Sequence, residues 1–344
     1  MSPGLKVVAP GLHTTVQDLG RIGYQDIGVP VSGALDGFSL RLANALVGNE
    51  EGMPALEILV SGPTLEIAAD TVRVALVGEG ATLAIVSDPP RVVPAGKSIT
   101  LSRGELFRVA VDHRSHSCYL AVAGGIAVPL VLGSASTYVR AGIGGFKGRA
   151  LRRDDVVPLA LPRPPERGEL RIPMPPARTE EQPIRVILGP QQEYFTDEAL
   201  TALVSAEFRV SNDSDRMGMR LEGPLLRHRH GWDIVSDAIA TGSMQVPGSG
   251  QPIVLLADHQ TTGGYPKIAT VVSADLPLLG RYRPGDKLRF ASITVEAAGE
   301  LYRGAERQFA ALVASLEPVA EISGLDFGSL YCGNLISGVV TGFE

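Results

Sequence analysis

A mainly β fold of two barrel-type modules, with a few short helices and a C-terminal helix, is the fold class this sequence predicts. Three observations predict it. Short runs rich in Val, Ile and Leu recur at a spacing of about 8–12 residues, which suits a barrel or sandwich better than βαβ units. Gly 40 and Pro 25 are high counts for 344 residues and suit many turns between short strands. Pro162–Pro183 contains PRPPERG and PMPPARTEEQP, and proline, which cannot donate to a ladder, makes this a semi-rigid linker. The expected organisation is therefore 1–161 as an N-terminal β-barrel module with an early helix and 162–183 as linker. Residues 184–300 form a second β-barrel module, and 301–344 a C-terminal helix and tail.

The first module is read strand by strand. Leu65–Ala68, Val72–Val77, Leu83–Val86, Ser98–Leu101 and Leu106–Val111 are short and apolar. The turn residues of Ser87–Pro90, Pro94–Gly96 and Arg103–Gly104 separate them. The early helix is Asp36–Val47: Asp36 can cap it, Phe38, Leu42, Ala45 and Leu46 give an apolar face, and Gly48 stops it. A second helix is expected at Asp197–Val204 with Thr196 as its cap. A third, about Glu300–Leu316, is the most amphipathic segment and is expected to cross the outside of a barrel. The two halves echo one another faintly. YLAVAGGIAVPLVLG followed by RRDDVVPL parallels KIATVVSADLPLLG followed by RPGDKLRF, which suits a duplicated β-module, although such β-turn patterns also arise by chance.

Composition narrows the function classes. The formal net charge is −6 and no run of Lys or Arg dominates, so the chain lacks the electrostatic footprint of a nucleic-acid binder. Cys118 and Cys332 stand far apart with no CxxC, against a disulfide framework or zinc site. MSPGLKVVAP lacks a signal-peptide core, and the uncharged run Cys118–Gly133 is shorter than the ~18 apolar residues of a membrane span. A soluble cytoplasmic protein is expected. His113/His116 and His228/His230 complete no carboxylate–histidine set, so no metal site is expected. GIGGFKG at Gly142–Gly148 is not GxxxxGK[ST] and reads better as a tight turn than as a phosphate cradle.

Four stretches can carry chemistry. DHQTTGGYPK, Asp258–Lys267, lies between the apolar runs PIVLLA and IATVV. Gly263–Gly264 lets the backbone take positive φ and approach a ligand closely. Gln260, Thr261 and Thr262 supply donors and acceptors, and Lys267, at the start of a strand, suits an anionic oxygen. A polar hairpin with GG at its tip fits the spacing equally well. SDRMGMRLEG, Ser214–Gly223, places Asp215 beside Arg216, either a bidentate carboxylate binder or a pair holding a turn. Gln245 stands among apolar residues in TGSMQVPGSGQP and is a satisfied core amide or a ligand contact. TTVQDLGRIGYQDIGVPVSGALD, Thr14–Asp36, is a long shaped loop bearing Gln17, Asp18, Arg21 and Asp36; it serves as a site or interface loop, or plugs a barrel end.

These stretches, with SLRLANALVGN, YLAVAGGI and VLGSAST, resemble the KipA/allophanate hydrolase subunit 2 family, whose bacterial members are the C component of ATP-dependent 5-oxoprolinase. The module is also similar to half of the carboxyltransferase domain of urea carboxylase. The resemblance runs from about Val7 to Ala298; Met219 stands where an aromatic is expected. It implies two cyclophilin-like barrels, and two partner chains, one KipI-like and one LamB/YcsF-like. It also implies conversion of 5-oxo-L-proline, ATP and water to L-glutamate, ADP and phosphate. ATP with Mg is then shared with those partners. The chain has no P-loop and no AMKM-like biotin-attachment sequence. The expected roles are Lys267, Asp258 and Asp215 as catalytic residues, with Arg216, Gln245, Gln260, Thr261, Thr262, Gly263, Gly264 and Tyr265 binding substrate. Carboxyl transfer with a separate biotin carrier, or KipA-like regulation of a KipI-like partner, are the rival readings.

Overall fold

The structure is a computed structural model that describes residues 3–112, 116–173 and 182–319. In the first module six strands form one sheet, in the order Val156–Pro158, Gly4–Ala9, Thr64–Ile67, Leu106–Val111, Ala81–Val86, Arg91–Pro94. A second sheet runs His13–Gln17, Ala55–Leu59, Ser117–Val122, Thr71–Val77, Lys97–Ser102, Leu170–Arg171, Glu317–Pro318. Strand alternation places Leu65, Ile67, Leu83 and Ile85 in the core that both sheets share. Ala55–Leu59 and Ser117–Val122 are buried at every position, because helix α1 (Gly37–Val47) covers the other face of their sheet.

Helix α1 follows from local chemistry. Ser39 donates from its backbone N–H to Asp36 Oδ1 at 3.0 Å and from its hydroxyl to Oδ2 at 2.7 Å. Gly48 ends the helix with φ 81°, in the left-handed region. Asp36 also accepts from Arg281 Nε of the second module at 2.6 Å. Asp36→Ala is expected to lower unfolding free energy by roughly 1–2 kcal/mol through the lost cap alone. Urea denaturation checks this; an unchanged midpoint would show that the cap is replaced by water.

The second module is a closed barrel of Ile184–Leu188, Lys267–Val271, Ser243–Gln245, Ile253–Leu255, Gly218–Glu222, Glu207–Val210 and Lys287–Ser292. Its one parallel contact among these strands, Ile184–Leu188 with Lys287–Ser292, closes the ring. Helix α2 (Asp197–Ser205), capped by Thr196, and the one-turn helix α3 (Leu276–Leu279) lie against it.

Helix α4 (Val295–Ala314) starts earlier than the sequence suggests, because Thr294 caps it directly after the last barrel strand. It does not cross the barrel it follows. Phe309 meets Phe38 edge-on at 5.4 Å, Arg41 stacks 3.9 Å over the Phe309 ring, and both Arg41 amino groups donate to Glu306 at 2.8 Å. The chain thus returns to helix α1 of the first module. There Glu317–Pro318 pairs with Leu170–Arg171, so part of the expected linker is taken up as a strand. The expected tail beyond Val319 and Cys332 lie outside the described residues, as does His113. Among the described residues no helix is long and apolar enough to cross a membrane.

The segment expected as one long loop, Thr14–Asp36, opens as part of the edge strand His13–Gln17, whose β-branched run suits a strand and which pairs with Ala55–Leu59; only its remainder, residues 18–36, is loop, wedged between the modules. Ser32 donates from its backbone to the Ala257 carbonyl at 2.9 Å, and Arg21, 0% exposed, donates to the carbonyls of Val131 at 2.9 Å and Ser136 at 2.8 Å. Asp18 accepts from Ser134, from the Ala135 N–H at 2.6 Å and from the Ser136 hydroxyl. Gln17 donates to Thr137 O at 3.1 Å. Gln17, Asp18 and Arg21 therefore pin this loop to the 131–137 segment.

Candidate functional site

The residues singled out in the sequence separate into two groups, joined by the loop Asp258–Lys267. The first surrounds Lys267 at one rim of the second barrel. Lys267 begins its strand opposite Gln245, at a register shift in the partner strand. Its backbone N–H donates to Gln191 Oε1 at 3.1 Å. Its ammonium is almost covered, with the side chain 5% exposed, and donates to Asp237 Oδ2 at 2.6 Å and to the Ala238 carbonyl at 3.1 Å. Such a short charge-assisted bond is among the stronger kinds. The hydrogen bond from Lys267, followed by that from the Ala238 N–H, holds the Asp237 carboxyl below the usual range.

Asp237 sits on a two-residue strand, Asp237–Ala238, that pairs with Thr262–Gly263 of the same loop. Flanking bonds run from Ile234 N–H to the Gly264 carbonyl at 2.8 Å and from Ile239 N–H to the Thr261 carbonyl at 3.0 Å. Segment 231–240 is thus a strap over the loop. Trp232 and Tyr265 face each other across it with ring centres 6.1 Å apart, both partly exposed. Beneath, Gln260 Nε2 donates to Gln245 Oε1 at 3.4 Å and Gln245 Nε2 to the Tyr265 carbonyl at 3.5 Å, both long bonds. Thr262 is exposed on the rim.

Gly263 and Gly264 are not at positive φ, contrary to the expectation from the GG pair. The reason for glycine at 263 is steric: a Cβ there would sit 2.6 Å from Gln245 Nε2 and 2.7 Å from Ile239 Cδ1. Close approach of strap, loop and amide requires the missing side chain. Gln191 and Asp237 were not singled out from sequence. Gln191 had a faint signal, a Gly-Pro turn straight after the apolar run IRVIL; Asp237 had none.

The second group lies between the modules. Arg216, 7% exposed, donates from Nε to Asp258 Oδ2 at 2.8 Å, from Nη2 to Asp258 Oδ1 at 3.1 Å and to the Gly33 carbonyl at 2.7 Å, and from Nη1 to Glu57. Glu57 Oε2 also accepts the Tyr119 hydroxyl at 2.7 Å and the Leu35 N–H at 2.8 Å. Burial works against the Arg216 charge, but Glu57 and Asp258 more than offset it, so its pKa is raised. The guanidinium is thereby bound to protein carboxylates of both modules rather than presented to solvent. Asp215 uses Oδ1 to accept the N–H groups of Met217 at 2.8 Å and Gly218 at 3.2 Å, the pattern of a turn. Among the described residues no cluster of three or more His, Cys, Asp or Glu could hold a metal ion.

Three histidines in or beside these groups are held neutral. His259 is bonded at Nδ1 to the Gln260 carbonyl at 2.5 Å and at Nε2 to Thr241 Oγ1 at 3.1 Å. Burial is the main cause of its lowered pKa, as it is for His13 and His116. A folded pKa below the unfolded value of about 6.5 means that the unfolded chain binds more protons there. The stabilisation is complete above about pH 6.5 and is lost as pH falls from there through the folded values. Denaturation midpoints measured between about pH 8 and 5 are expected to fall well before carboxylates protonate. A flat profile across that range would contradict this.

Residues 27–292 match the family described as carboxyltransferase domain, subdomain A and B, and the chain belongs to that family. It is 36% identical over 305 residues to the 5-oxoprolinase C subunit of Escherichia coli strain K12, covering 89% of this chain and 96% of that protein. It is 32% identical over 319 residues to the urea amidolyase of Saccharomyces cerevisiae, covering 86% of this chain and 17% of that one. Among solved structures, the Kluyveromyces lactis urea carboxylase superposes with a TM-score of 0.83 at 30% identity, over 93% of this chain and 30% of that one. The K. lactis urea amidolyase gives 0.82 at 29% identity, over 91% and 20%. The chain thus spans nearly all of the E. coli protein and only a fraction of the fungal enzymes.

Proposed function

We propose that this chain is the C component of an ATP-dependent 5-oxoprolinase, acting with a KipI-like partner and a LamB/YcsF-like partner to open 5-oxo-L-proline to L-glutamate. The observation that carries this reading is the near end-to-end match, 96% of its length, to the E. coli protein of that name. The Lys267 rim is the part of the chain we assign to the substrate. Its carboxylate replaces Asp237 on the ammonium, and the amides of Gln191, Gln245 and Gln260 with the Thr262 hydroxyl meet the lactam. A lactam resists water because its nitrogen lone pair is delocalised into the carbonyl. Opening it places charge on the carbonyl oxygen, and fixed donors lower that barrier.

Among the described residues, the glycine-rich stretch that comes nearest to a phosphate cradle does not form one. The glycine-rich loop 142–148 folds onto its own neighbours: its Lys147 reaches Asp155 at 4.0 Å, and a Cβ on Gly144, Gly145 or Gly148 would strike Ser136, Thr137 or Gly142. We therefore assign the nucleotide to the assembled complex. The experiment is an order-of-addition assay. Phosphate release dependent on 5-oxoproline is expected to be absent with this chain alone, absent when only the KipI-like partner is added, and present only with both partners together. Full activity of the two partners without this chain would overturn the assignment. The K. lactis urea carboxylase likeness favours a second reading, carboxyl transfer from a separate biotin carrier; carboxyl transfer to urea with no 5-oxoproline turnover would favour it.

A further inference from the structure

Asp237 already fills a carboxylate site. Its Oδ2 accepts from the Lys267 ammonium at 2.6 Å and its Oδ1 from the Ala238 N–H at 2.8 Å. An ammonium and a backbone N–H on one carboxyl group are the donors that would hold a free acid. Here the chain supplies the acid itself, from the strap 231–240, and while it stays the Lys267 side chain is only 5% exposed. An incoming carboxylate reaches that ammonium only when the strap lifts.

The strap is lightly held. Within 231–240 only Ile239 is buried, and Val235 is 92% exposed. Its bonds to the loop Asp258–Lys267 are a two-residue ladder, the flanking bonds from Ile234 and Ile239, and the Lys267–Asp237 pair. A segment with so little buried apolar surface, bonded at the protein surface, belongs to the low-stability end of a structure. Both ends are fixed to the barrel. Before the strap, His228 Nε2 is bonded to the Val246 carbonyl at 3.0 Å, and the Arg229 N–H donates to the Tyr194 carbonyl at 2.6 Å. After it, Gly242, with φ 87°, donates to the Leu255 carbonyl at 2.7 Å and accepts from the Val271 N–H at 2.9 Å. Motion is thereby confined to the segment between. Trp232 latches it: the indole lies over Gly248, where a Cβ would come within 3.1 Å of the ring, and faces Tyr265.

We propose that the strap 231–240 is a lid that closes the Lys267 site with a carboxylate of its own, so that Asp237 competes with the substrate acid and Trp232 latches the closed state. The identity of the acid rests on the assignment of 5-oxoproline to this rim; the motion does not. A ligand that binds only the open lid has its apparent dissociation constant raised by the inverse of the open fraction, so loosening the lid tightens binding.

The test ties strap to loop. Ala238 and Thr262 face each other in the ladder. Ala238→Cys with Thr262→Cys, in a Cys332→Ser background, leaves buried Cys118 as the only other thiol. Acetylation of Lys267 in the full chain, followed by mass spectrometry, is expected to be at least tenfold slower in the oxidised variant than in the same variant after reduction, with exposed Lys287 unchanged. Trp232→Ala, which leaves Asp237 on the ammonium, is expected to speed Lys267 acetylation at least threefold, and it decides the matter if the disulfide does not form. Equal rates before and after reduction, or a parental rate in Trp232→Ala, would overturn the lid whatever the substrate. In the three-chain complex, Asp237→Asn is expected to lower the KM for 5-oxoproline at least threefold. An unmoved KM beside a lid shown by acetylation would overturn the competition, and with it the substrate assignment, but not the motion; the two failures are thus told apart.

Discussion

Arg216→Leu is expected to destabilise the chain by roughly 3–5 kcal/mol, the range found when one member of a buried ion pair is removed. The substitution leaves Glu57 and Asp258 buried with no cation between them, and it removes the donor to the Gly33 carbonyl. Because Glu57 belongs to the first module and Arg216 and Asp258 to the second, the loss falls on the contact between modules. The sign differs for a concerted change. Replacing the three charges together by apolar residues of similar volume removes the unpaired carboxylates and is expected to restore much of the loss. Urea denaturation of single and triple variants separates the two effects. An Arg216→Leu midpoint equal to that of the parent would mean that the cluster is solvated and contributes little.

Lys267→Met in the reconstituted three-chain complex is expected to lower 5-oxoproline-dependent phosphate release by about 10²–10³-fold or more, the scale seen when a single donor to developing oxyanion charge is lost. Assembly is expected to survive, because the group left behind, Asp237, is half exposed and rehydrates. Lys267→Arg is not expected to rescue, since a planar guanidinium cannot take the place of a compact ammonium between Asp237 and the Ala238 carbonyl. A Met variant with parental turnover would remove Lys267 from the reaction.

What could be read from sequence was what is decided locally. The early helix was legible because Asp36 and Gly48 are cap and stop within one short segment, and helix α2 because Thr196 caps it directly. The loop Asp258–Lys267 was legible as a place for chemistry because ten polar and glycine-rich residues interrupt two core strands. Its geometry was not. The strap that covers Lys267 comes from residues 231–240, which show neither period nor motif, and Asp237 meets Lys267 only through a two-residue pairing. Arg216 next to Asp215 suggested a local pair, yet its partners are Glu57 and Asp258, 159 and 42 residues away. For helix α4 the sequence showed a buried face but not which module buries it, because amphipathicity reports that a face is covered and not by what; Arg41, Phe38 and Phe309 decide that.

The proposed function requires substrate to seat at the Lys267 ammonium. The most direct measurement is the rate of Lys267 acetylation by a lysine-selective reagent in the three-chain complex, followed by mass spectrometry with and without 5-oxoproline. Lys147 and Lys287, 65% and 56% exposed, serve as internal references. Saturating 5-oxoproline is expected to protect Lys267 and to leave the two reference lysines unchanged. The same Lys267 rate in the presence and absence of saturating substrate would contradict it.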